Sequence, residues 1–315
     1  MIGSGRVRTA GASVERAARE RGGPLAPWLV LLRPRVAVLV LLSAFVGGQL
    51  AAGPAADLLL VVEAALWVTL TAAAASVFNQ VLERETDALM PRTAGRPLVT
   101  GALRTRDAIL FGALLGAVGV AALALRFNTT SALLALAALC LYALVYTPLK
   151  RVSTLNTVIG AVPGAMPPLL AATAVGGAPG TWGWLLFAVI FTWQFPHFMA
   201  IAWLYREQYA RAGMKMLPAL PGSEGMAGRM ALAYSLVLLP VSLVPATQGH
   251  AGPVYALGAL ALGLVYAAAS AAFAHRESRR RARLLLFVSL VYLPLVFSIV
   301  LLDPVVALSH GLATP

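Results

Sequence analysis

The stretch that decides the fold is residues 58–97, LLLVVEAALWVTLTAAAASVFNQVLERETDALMPRTAGRP, in which an apolar run ends in charged and amide groups. The run up to residue 80 is long enough to cross a bilayer as a helix, which needs about 20 apolar residues. Asn79, Glu83 and Asp87 follow at a spacing of four, so a helix places all three on one face. The stretch therefore predicts a membrane-spanning helix that carries three oxygen donors at its end.

The amino-acid composition indicates a membrane protein. Hydrophobic residues make up 60% of the chain and charged residues only 11%, which lies outside the range of soluble globular domains. The net charge of +12 does not indicate nucleic-acid binding, because the basic residues lie in short segments between apolar runs, as topology signals do. A single cysteine, Cys140, excludes a disulfide framework.

Nine apolar segments are long enough to span a bilayer. They lie near 30–52, 58–80, 107–126, 130–149, 154–175, 181–204, 227–247, 252–274 and 284–304. With a cytoplasmic amino terminus, 23 of the 24 Lys and Arg residues lie on the cytoplasmic side, and only Arg126 lies outside. The sequence predicts an all-α integral membrane protein with nine transmembrane helices and a cytoplasmic amino terminus.

This topology divides the chain into three regions. Residues 1–27 are expected to be a cytoplasmic tail without regular structure, residues 28–305 the membrane domain, and residues 306–315 a short tail on the opposite side. The loops after the second, fourth and sixth spans face the cytoplasm, and every candidate site residue lies in or beside them.

The column of Asn79, Glu83 and Asp87 is a candidate magnesium site. Amide and carboxylate oxygens are hard ligands for Mg²⁺, and Arg92 and Arg96 bring positive charge suited to phosphate. Carboxylates repel phosphate unless a divalent metal lies between them, so the pattern favours a metal–diphosphate site. The alternative is a helix end that leaves the bilayer, where charged residues are common.

The two later cytoplasmic loops carry further candidates. Lys150 and Arg151 suit a diphosphate leaving group, although they could equally anchor an inner loop. His197 lies near the end of the sixth span, where an imidazole is costly to bury and so indicates function; a neighbouring carbonyl could instead satisfy it. The remaining candidates recur every four residues, as a second phosphate-binding wall or as surface ion pairs would: Glu207, Arg211 and Lys215.

The chain resembles the UbiA-type intramembrane prenyltransferases. Their Asn-x-x-x-Asp-x-x-x-Asp motif corresponds to Asn79, Glu83 and Asp87, and their Arg-Thr-x-x-Arg-Pro motif begins at Arg92 and ends at Pro97. Three further stretches resemble the heme O synthase (protoheme IX farnesyltransferase) branch of the family: 33–36, 146–168 and 193–218. The resemblance covers roughly residues 28–305.

Two positions depart from the family pattern. Glu83 stands where Asp is usual, which keeps the carboxylate, and Gln208 stands where the heme branch has an acidic residue. A glutamine carbonyl still ligates a metal but brings no charge. Either Glu207 supplies the second carboxylate or this side of the site holds its metal more weakly.

The resemblance implies nine helices around a central cavity that opens to lipid. It implies transfer of a farnesyl group from farnesyl diphosphate to a vinyl group of protoheme IX (heme B), which is a substrate and not a permanent cofactor, in the heme A pathway. Mg²⁺ would be bound by Asn79, Glu83 and Asp87, with Glu207 as a further ligand or catalytic group. The implied diphosphate contacts are Arg92, Arg96, Lys150, Arg151, Arg211 and Lys215, and the implied heme contacts are His197 and Tyr209.

The resemblance also implies a place in the cell. We expect the bacterial inner membrane, a cytoplasmic active-site mouth, and heme A synthase or oxidase assembly proteins as partners. Two alternatives stay open. One is a prenyltransferase for a quinone precursor or a chlorophyll-like acceptor, and the other is a transporter or a non-catalytic heme-handling protein. Crowding of charge at one membrane face argues against a transporter, whose charged groups concentrate near the midplane.

Overall fold

The computed structural model describes residues 23–53 and 57–309, with side chains up to residue 306, and within these ranges it is all helical. Nine helices in this part of the chain are long and apolar enough to cross a membrane. We name them α1 Pro34–Ala52, α2 Leu58–Leu82, α3 Thr105–Arg126, α4 Thr129–Leu149, α5 Asn156–Gly176, α6 Thr181–Leu204, α7 Met226–Thr247, α8 Pro253–His275 and α9 Arg279–Leu302. The prediction of nine spanning helices is confirmed.

The first span differs from its predicted bounds. A short helix, Ala26–Leu31, precedes α1, and the chain breaks between them at Arg33, whose backbone is left-handed (φ 49°, ψ 66°). Pro34 fixes the start of α1, because proline suits the first helical turn and restricts the residue before it. Residues 26 and 27 are therefore helical and not tail; residues 1–22 and 310–315 lie outside the described part of the chain.

The segment before α1 is held by the end of α2. The side-chain amide of Gln80 donates to the Leu31 carbonyl at 2.8 Å. Leu31 is fully buried and packs with Val77, Leu98 and Ala108. The short helix thus lies against α2 at the same end of the bundle as the Asn79 column.

Small residues bring the helices close together. A Cβ on Gly47 of α1 would lie 2.3 Å from the Pro168 carbonyl oxygen of α5, so only glycine permits this approach.

At the opposite end of the bundle, the buried Asp303 carboxylate accepts hydrogen bonds from the backbone of Gly252 and Tyr255 at 2.8 and 2.9 Å. It thereby caps the start of α8, where backbone N–H groups otherwise lack partners.

The core divides into two halves. One apolar cluster joins α1 with α2, α3, α4 and α5, and a second joins α1 and α5 with α6, α7, α8 and α9. Helices α1 and α5 belong to both clusters and pack against each other. Between the two halves lies a cavity.

Candidate active site

The cavity has a volume of about 480 Å³ and is lined by residues of α1, α2, α4, α5 and α6, the loops between them, and Leu293 of α9. Its ionised lining residues all come from the same end of the bundle, which we call the charged end: Arg33, Glu83, Asp87, Arg92, Arg96 and Lys150. Four cations against two carboxylates give this end a net charge of +2. The deeper walls are mostly small or apolar side chains.

The predicted column of Asn79, Glu83 and Asp87 is present, although α2 ends within it. Helix α2 ends at Leu82 and a short helix, Arg84–Ala88, follows. Backbone hydrogen bonds from Glu83 N to Asn79 O (2.9 Å) and from Asp87 N to Glu83 O (2.7 Å) keep the four-residue repeat through this junction. All three side chains are buried, so this is not a helix end opening into water.

Asn79 lies behind the cavity wall and holds other residues. Its Oδ1 accepts a hydrogen bond from Arg33 Nη2 at 2.7 Å, and its Nδ2 donates to Thr147 Oγ1 at 3.1 Å. The side chain is fully buried and does not line the cavity. Asn79 therefore joins α1, α2 and α4, and its role as a magnesium ligand stays a prediction.

Arg33 is a site residue that sequence reasoning missed. In the described part of the chain it is the one residue other than glycine with a positive φ, a conformation that costs about 1–3 kcal/mol and clusters at functional sites. The break before Pro34 turns the guanidinium toward Asn79 and the cavity. The Arg-Pro dipeptide before a spanning helix could have indicated this site. A basic residue at that position is more commonly interpreted as a signal for membrane orientation.

Glu83 and Lys150, which both line the cavity, form an ion pair with each other. Their Oε1 and Nζ atoms are 2.7 Å apart, with both side chains largely buried. The ammonium also lies 4.4 Å from the centre of the Tyr146 ring. Burial alone would lower the pKa of Lys150, but Tyr146 and Glu83 outweigh it and raise the pKa, so Lys150 carries a firm positive charge.

The Tyr146 ring depends in turn on a glycine. A Cβ on Gly160 of α5 would lie 2.4 Å from that ring. Tyr146 ends a π-helical segment, Leu141–Tyr146, within α4. Such segments are rare and frequently occur at functional sites. The π-helical turn of α4 and the absence of a side chain at Gly160 together allow the Tyr146 ring to lie beneath the Lys150 ammonium.

Asp87 forms an ion pair with Arg96 through its Oδ2 atom. Its Oδ1 atom is buried without a hydrogen-bond partner. Burial raises the pKa of Asp87 more than the Arg96 charge lowers it, because a charged carboxylate loses its hydration there. Burial likewise lowers the pKa of Arg96, with a contribution from nearby Arg33.

The unpartnered Oδ1 atom of Asp87 is a suitable ligand for a divalent metal. The side-chain oxygen of Gln208 is also buried without a hydrogen-bond partner, but Gln208 does not line the cavity. Among the described residues no group of three or more His, Cys, Asp or Glu side chains converges to cage an ion. Mg²⁺ is typically held by one or two carboxylates together with substrate phosphates, which the donor set here permits.

Arg92 connects the loop after α2 with the segment after α6. Its Nη2 donates to the Tyr209 hydroxyl at 3.3 Å, and the guanidinium lies 4.9 Å from the centre of the Tyr205 ring. Tyr209 lines the cavity, and its role as a heme contact stays a prediction. The two loops thus form one wall at the charged end.

The structure does not bring four of the predicted residues to the cavity. Their side chains are exposed and absent from its lining: Arg151, Glu207, Arg211 and Lys215. Glu207 lies 3.7 Å from Arg206 and contacts no cavity residue by hydrogen bond or ion pair. The expectation of a shared helical face is wrong for Lys215, because the helix ends at Arg211.

The backbone of Lys215 has a structural role instead. Its N–H donates to the Lys150 carbonyl at 2.6 Å, and its carbonyl accepts from Asn156 Nδ2 at 3.0 Å. Asn156 is fully buried at the start of α5. This bridge fixes the loop after α6 against the loop after α4, and so helps to place Lys150.

His197 lines the cavity from α6, and its side chain contacts α9 and neighbouring rings of its own helix. Its Nδ1 lies 2.8 Å from Ser289 Oγ of α9, and its ring stacks on Trp193 with centres 5.0 Å apart. The predicted alternative, a histidine satisfied by a backbone carbonyl, is not what the structure shows. Beside it, Gln194 is buried and donates to the Ala161 carbonyl at 2.8 Å.

The model of the UbiA prenyltransferase family matches residues 40–301 of this chain. The chain belongs to the UbiA prenyltransferase family. The match covers all nine spanning helices except the first residues of α1 and the last of α9, and it confirms the resemblance inferred from the Asn79 column.

Three curated relatives of this UbiA-family chain are named protoheme IX farnesyltransferase. The protein of Solibacter usitatus is 40% identical over 285 residues, which cover 88% of this chain and 98% of that protein. The protein of Koribacter versatilis is 39% identical over 283 residues, covering 87% and 91%. The protein of Sorangium cellulosum is 44% identical over 253 residues, covering 79% and 88%.

Solved structures share the fold of this family at low identity. A digeranylgeranylglyceryl phosphate synthase superposes with a TM-score of 0.73 at 16% identity, covering 91% of this chain and 99% of that one. A UbiA homolog from Archaeoglobus fulgidus, solved with GPP and Mg²⁺, gives 0.65 at 22% identity, covering 87% and 99%. The protein is an integral membrane protein with the UbiA fold.

Proposed function

We propose that this UbiA-family protein transfers a farnesyl group from farnesyl diphosphate to a vinyl group of protoheme IX, with addition of water, to give heme O and diphosphate. The observation that carries this proposal is the asymmetry of the cavity, with ionised groups at one end and apolar walls beyond. Such a cavity suits amphiphiles with an anionic head. The names of the curated relatives support the choice of both substrates.

The charged end is proposed to bind the diphosphate. Guanidinium groups bind phosphate oxygens in pairs, and a Lys ammonium adds a point charge. The cations that line the cavity are Arg33, Arg92, Arg96 and Lys150. Asp87 and Glu83, which both line the cavity, would hold Mg²⁺ against the diphosphate. The bound metal would withdraw charge from the leaving group.

The reaction follows from these placements. The C–O bond of farnesyl diphosphate breaks, and diphosphate departs with the bonding electrons toward Arg92, Arg96 and Lys150. The allylic cation that remains lies against the deeper walls, which are mostly small or apolar side chains. The vinyl π electrons form the new C–C bond, and the resulting cation beside the porphyrin takes the oxygen of a water molecule, which then loses a proton.

The two walls suggest where each substrate lies. On the α2 and α4 side the lining consists mainly of small or aliphatic residues: Val68, Thr71, Ala72, Ala75, Ala135, Ala138 and Leu139. We place the prenyl chain there. On the α6 side Trp193, His197 and Phe198 offer aromatic rings and an imidazole, which suit a flat macrocycle with a metal. We place protoheme IX on this side, with Tyr209 near its entrance.

The cellular context stays a proposal as well. The basic loops favour the bacterial inner membrane with the charged end in the cytoplasm. Heme A synthase and oxidase assembly proteins are the expected neighbours. A quinone-type acceptor fits the site less well, because it has no evident use for a cavity-lining histidine held by a second helix.

Expression in a bacterial strain that lacks its own heme O synthase tests the proposal. We expect extracted hemes to include a farnesylated hydroxyethyl heme, identified by mass and chromatography. Accumulation of protoheme IX alone, with folded protein present in the membrane, would contradict it. Recovery of a prenylated quinone precursor in the same extracts would favour the alternative acceptor.

A further inference from the structure

Ser289 lies at the centre of a buried contact between α9 and α6. Its side chain is fully buried, its backbone carbonyl accepts from Trp193 Nε1 at 2.9 Å, and its Oγ lies 2.8 Å from His197 Nδ1. One residue of α9 therefore fixes two ring systems of α6. Neither the sequence motifs nor the proposed reaction uses Ser289.

The direction of the serine–histidine hydrogen bond follows from counting protons. Ser289 Oγ also lies 2.6 Å from the Leu286 carbonyl oxygen, which can only accept a hydrogen bond. A hydroxyl has one proton, and that short distance requires it to point at the carbonyl. The proton between Ser289 and His197 must then come from the imidazole, so Nδ1 carries hydrogen and donates.

A neutral imidazole carries one hydrogen, so this arrangement leaves Nε2 with a free lone pair. The ring cannot easily turn over to exchange its nitrogens. Trp193 stacks on it at 5.0 Å with planes 22° apart, and the Tyr266 hydroxyl holds the Trp193 carbonyl at 2.9 Å. Since His197 lines the cavity, the nitrogen that is not bound to Ser289 is the one available to a substrate.

We propose that Ser289 is a positioning residue that holds His197 as the Nδ1–H tautomer, so that Nε2 presents its lone pair to the iron of the porphyrin substrate. Histidines that ligate metals almost always donate their other N–H to such a partner, which sets the tautomer and orients the ring. This inference rests on the proposed function, because the iron belongs to protoheme IX.

The first test uses the protein without heme. In ¹⁵N-histidine-labelled protein, the imidazole shifts separate protonated from unprotonated nitrogens, and His197→Gln assigns the signals by their loss. We expect the Nδ1–H form in the wild type and in Ser289→Thr, and a shift toward the Nε2–H form in Ser289→Ala. An Nε2–H wild type, or populations unchanged in Ser289→Ala, would overturn the proposal.

Ser235→Ala is the matched control. Ser235 on α7 is also fully buried, and its hydroxyl also donates to the carbonyl three residues earlier, at 2.9 Å. Removing either hydroxyl costs the fold a similar hydrogen bond, but only Ser289 contacts His197. A tautomer change in Ser235→Ala equal to that in Ser289→Ala would show a general packing effect and overturn the proposal.

The second test is an optical titration with ferric protoheme IX. We expect Ser289→Ala to bind about 10- to 100-fold more weakly and to lose the imidazole–iron spectrum, with Ser289→Thr close to the wild type. If His197→Gln leaves the spectrum and affinity of the wild type unchanged, the iron contact is refuted. The first test would still decide the tautomer, so failure of the heme assignment is distinguishable from failure of the serine's role.

Discussion

At the scale of single residues, the charged end consists of coupled groups. Glu83 pairs with Lys150 and Asp87 with Arg96, while Asn79 holds Arg33. Each buried charge therefore has a partner, which buried ions require to remain ionised. Removing one member leaves its partner uncompensated, so we expect large effects from small changes here.

Glu83→Gln is the sharpest substitution at this scale. It keeps the side-chain length but removes the charge that pairs with Lys150 and the proposed metal ligand. We expect kcat to fall by at least about a hundredfold, the size of effect seen when one electrostatic contact to a transition state is lost. The measurement is farnesyl transfer by purified protein with its membrane insertion checked in parallel.

Glu85→Gln is the matched control for this change. Glu85 lies two residues away in the same segment, is exposed and does not line the cavity. We expect near-normal turnover. Equal losses in both variants would mean that the segment's charge, and not the cavity carboxylate, matters.

The residue-scale predictions succeeded where helical spacing alone decides which side chains meet. Asn79, Glu83 and Asp87 share a face because the helix carries its repeat through Glu83. Lys215 does not share a face with Glu207 and Arg211, because the chain leaves the helix after Arg211 and periodicity has no meaning beyond a helix end. Glu207 lies within that helix, but its side chain is exposed. Arg33 was missed because its position depends on a backbone break that sequence spacing does not encode.

At the scale of elements, α5 shapes the site because one of its residues, Gly160, has no side chain. Gly160 leaves room for the Tyr146 ring, whose face carries the Lys150 ammonium at 4.4 Å. The π-helical turn in α4 brings Tyr146 to that place. Two helices, α4 and α5, therefore position the Lys150 ammonium.

Gly160→Ala tests this chain of contacts. The added methyl would lie 2.4 Å from the Tyr146 ring and must displace it. Overpacking of this kind costs about 1–3 kcal/mol, which we expect as a lower Tm. Displacement of Lys150 should also raise KM for farnesyl diphosphate at least about tenfold, measured by steady-state kinetics.

Gly176→Ala on the same helix provides the comparison. A Cβ at Gly176 meets no atom within 4 Å, so the substitution adds a methyl group without a clash. We expect unchanged KM. If Gly160→Ala lowers Tm but leaves KM for farnesyl diphosphate normal, the Tyr146 ring matters for packing only. Tyr146 would then have no role in binding the diphosphate.

At the scale of the molecule, hydropathy predicted the architecture well because the bilayer sets a minimum helix length. Nine segments were expected and nine spanning helices occur in the described chain. The cavity could not be derived from composition, because it depends on how close the helices approach at Gly47 and similar positions. Orientation across the membrane is a separate matter, resting on the basic loops.

Cysteine accessibility tests that orientation. In a Cys140→Ser background, Ala178→Cys lies in the exposed loop between α5 and α6, and Glu224→Cys lies in the exposed loop between α6 and α7. We expect a membrane-impermeant thiol reagent to label position 178 in intact spheroplasts and position 224 only after permeabilisation. The reverse pattern would place the amino terminus and the charged end outside.

The break at Arg33 has a mechanical consequence. Because Gln80 and Asn79 are neighbours on α2, they tie the Leu31 carbonyl and the Arg33 guanidinium to the same helix. Helix α1 begins only after this point, at Pro34. Helix α1 itself packs closely against α5, where Gly47 faces Pro168, so α2 fixes the guanidinium while α5 supports the apolar wall that follows it.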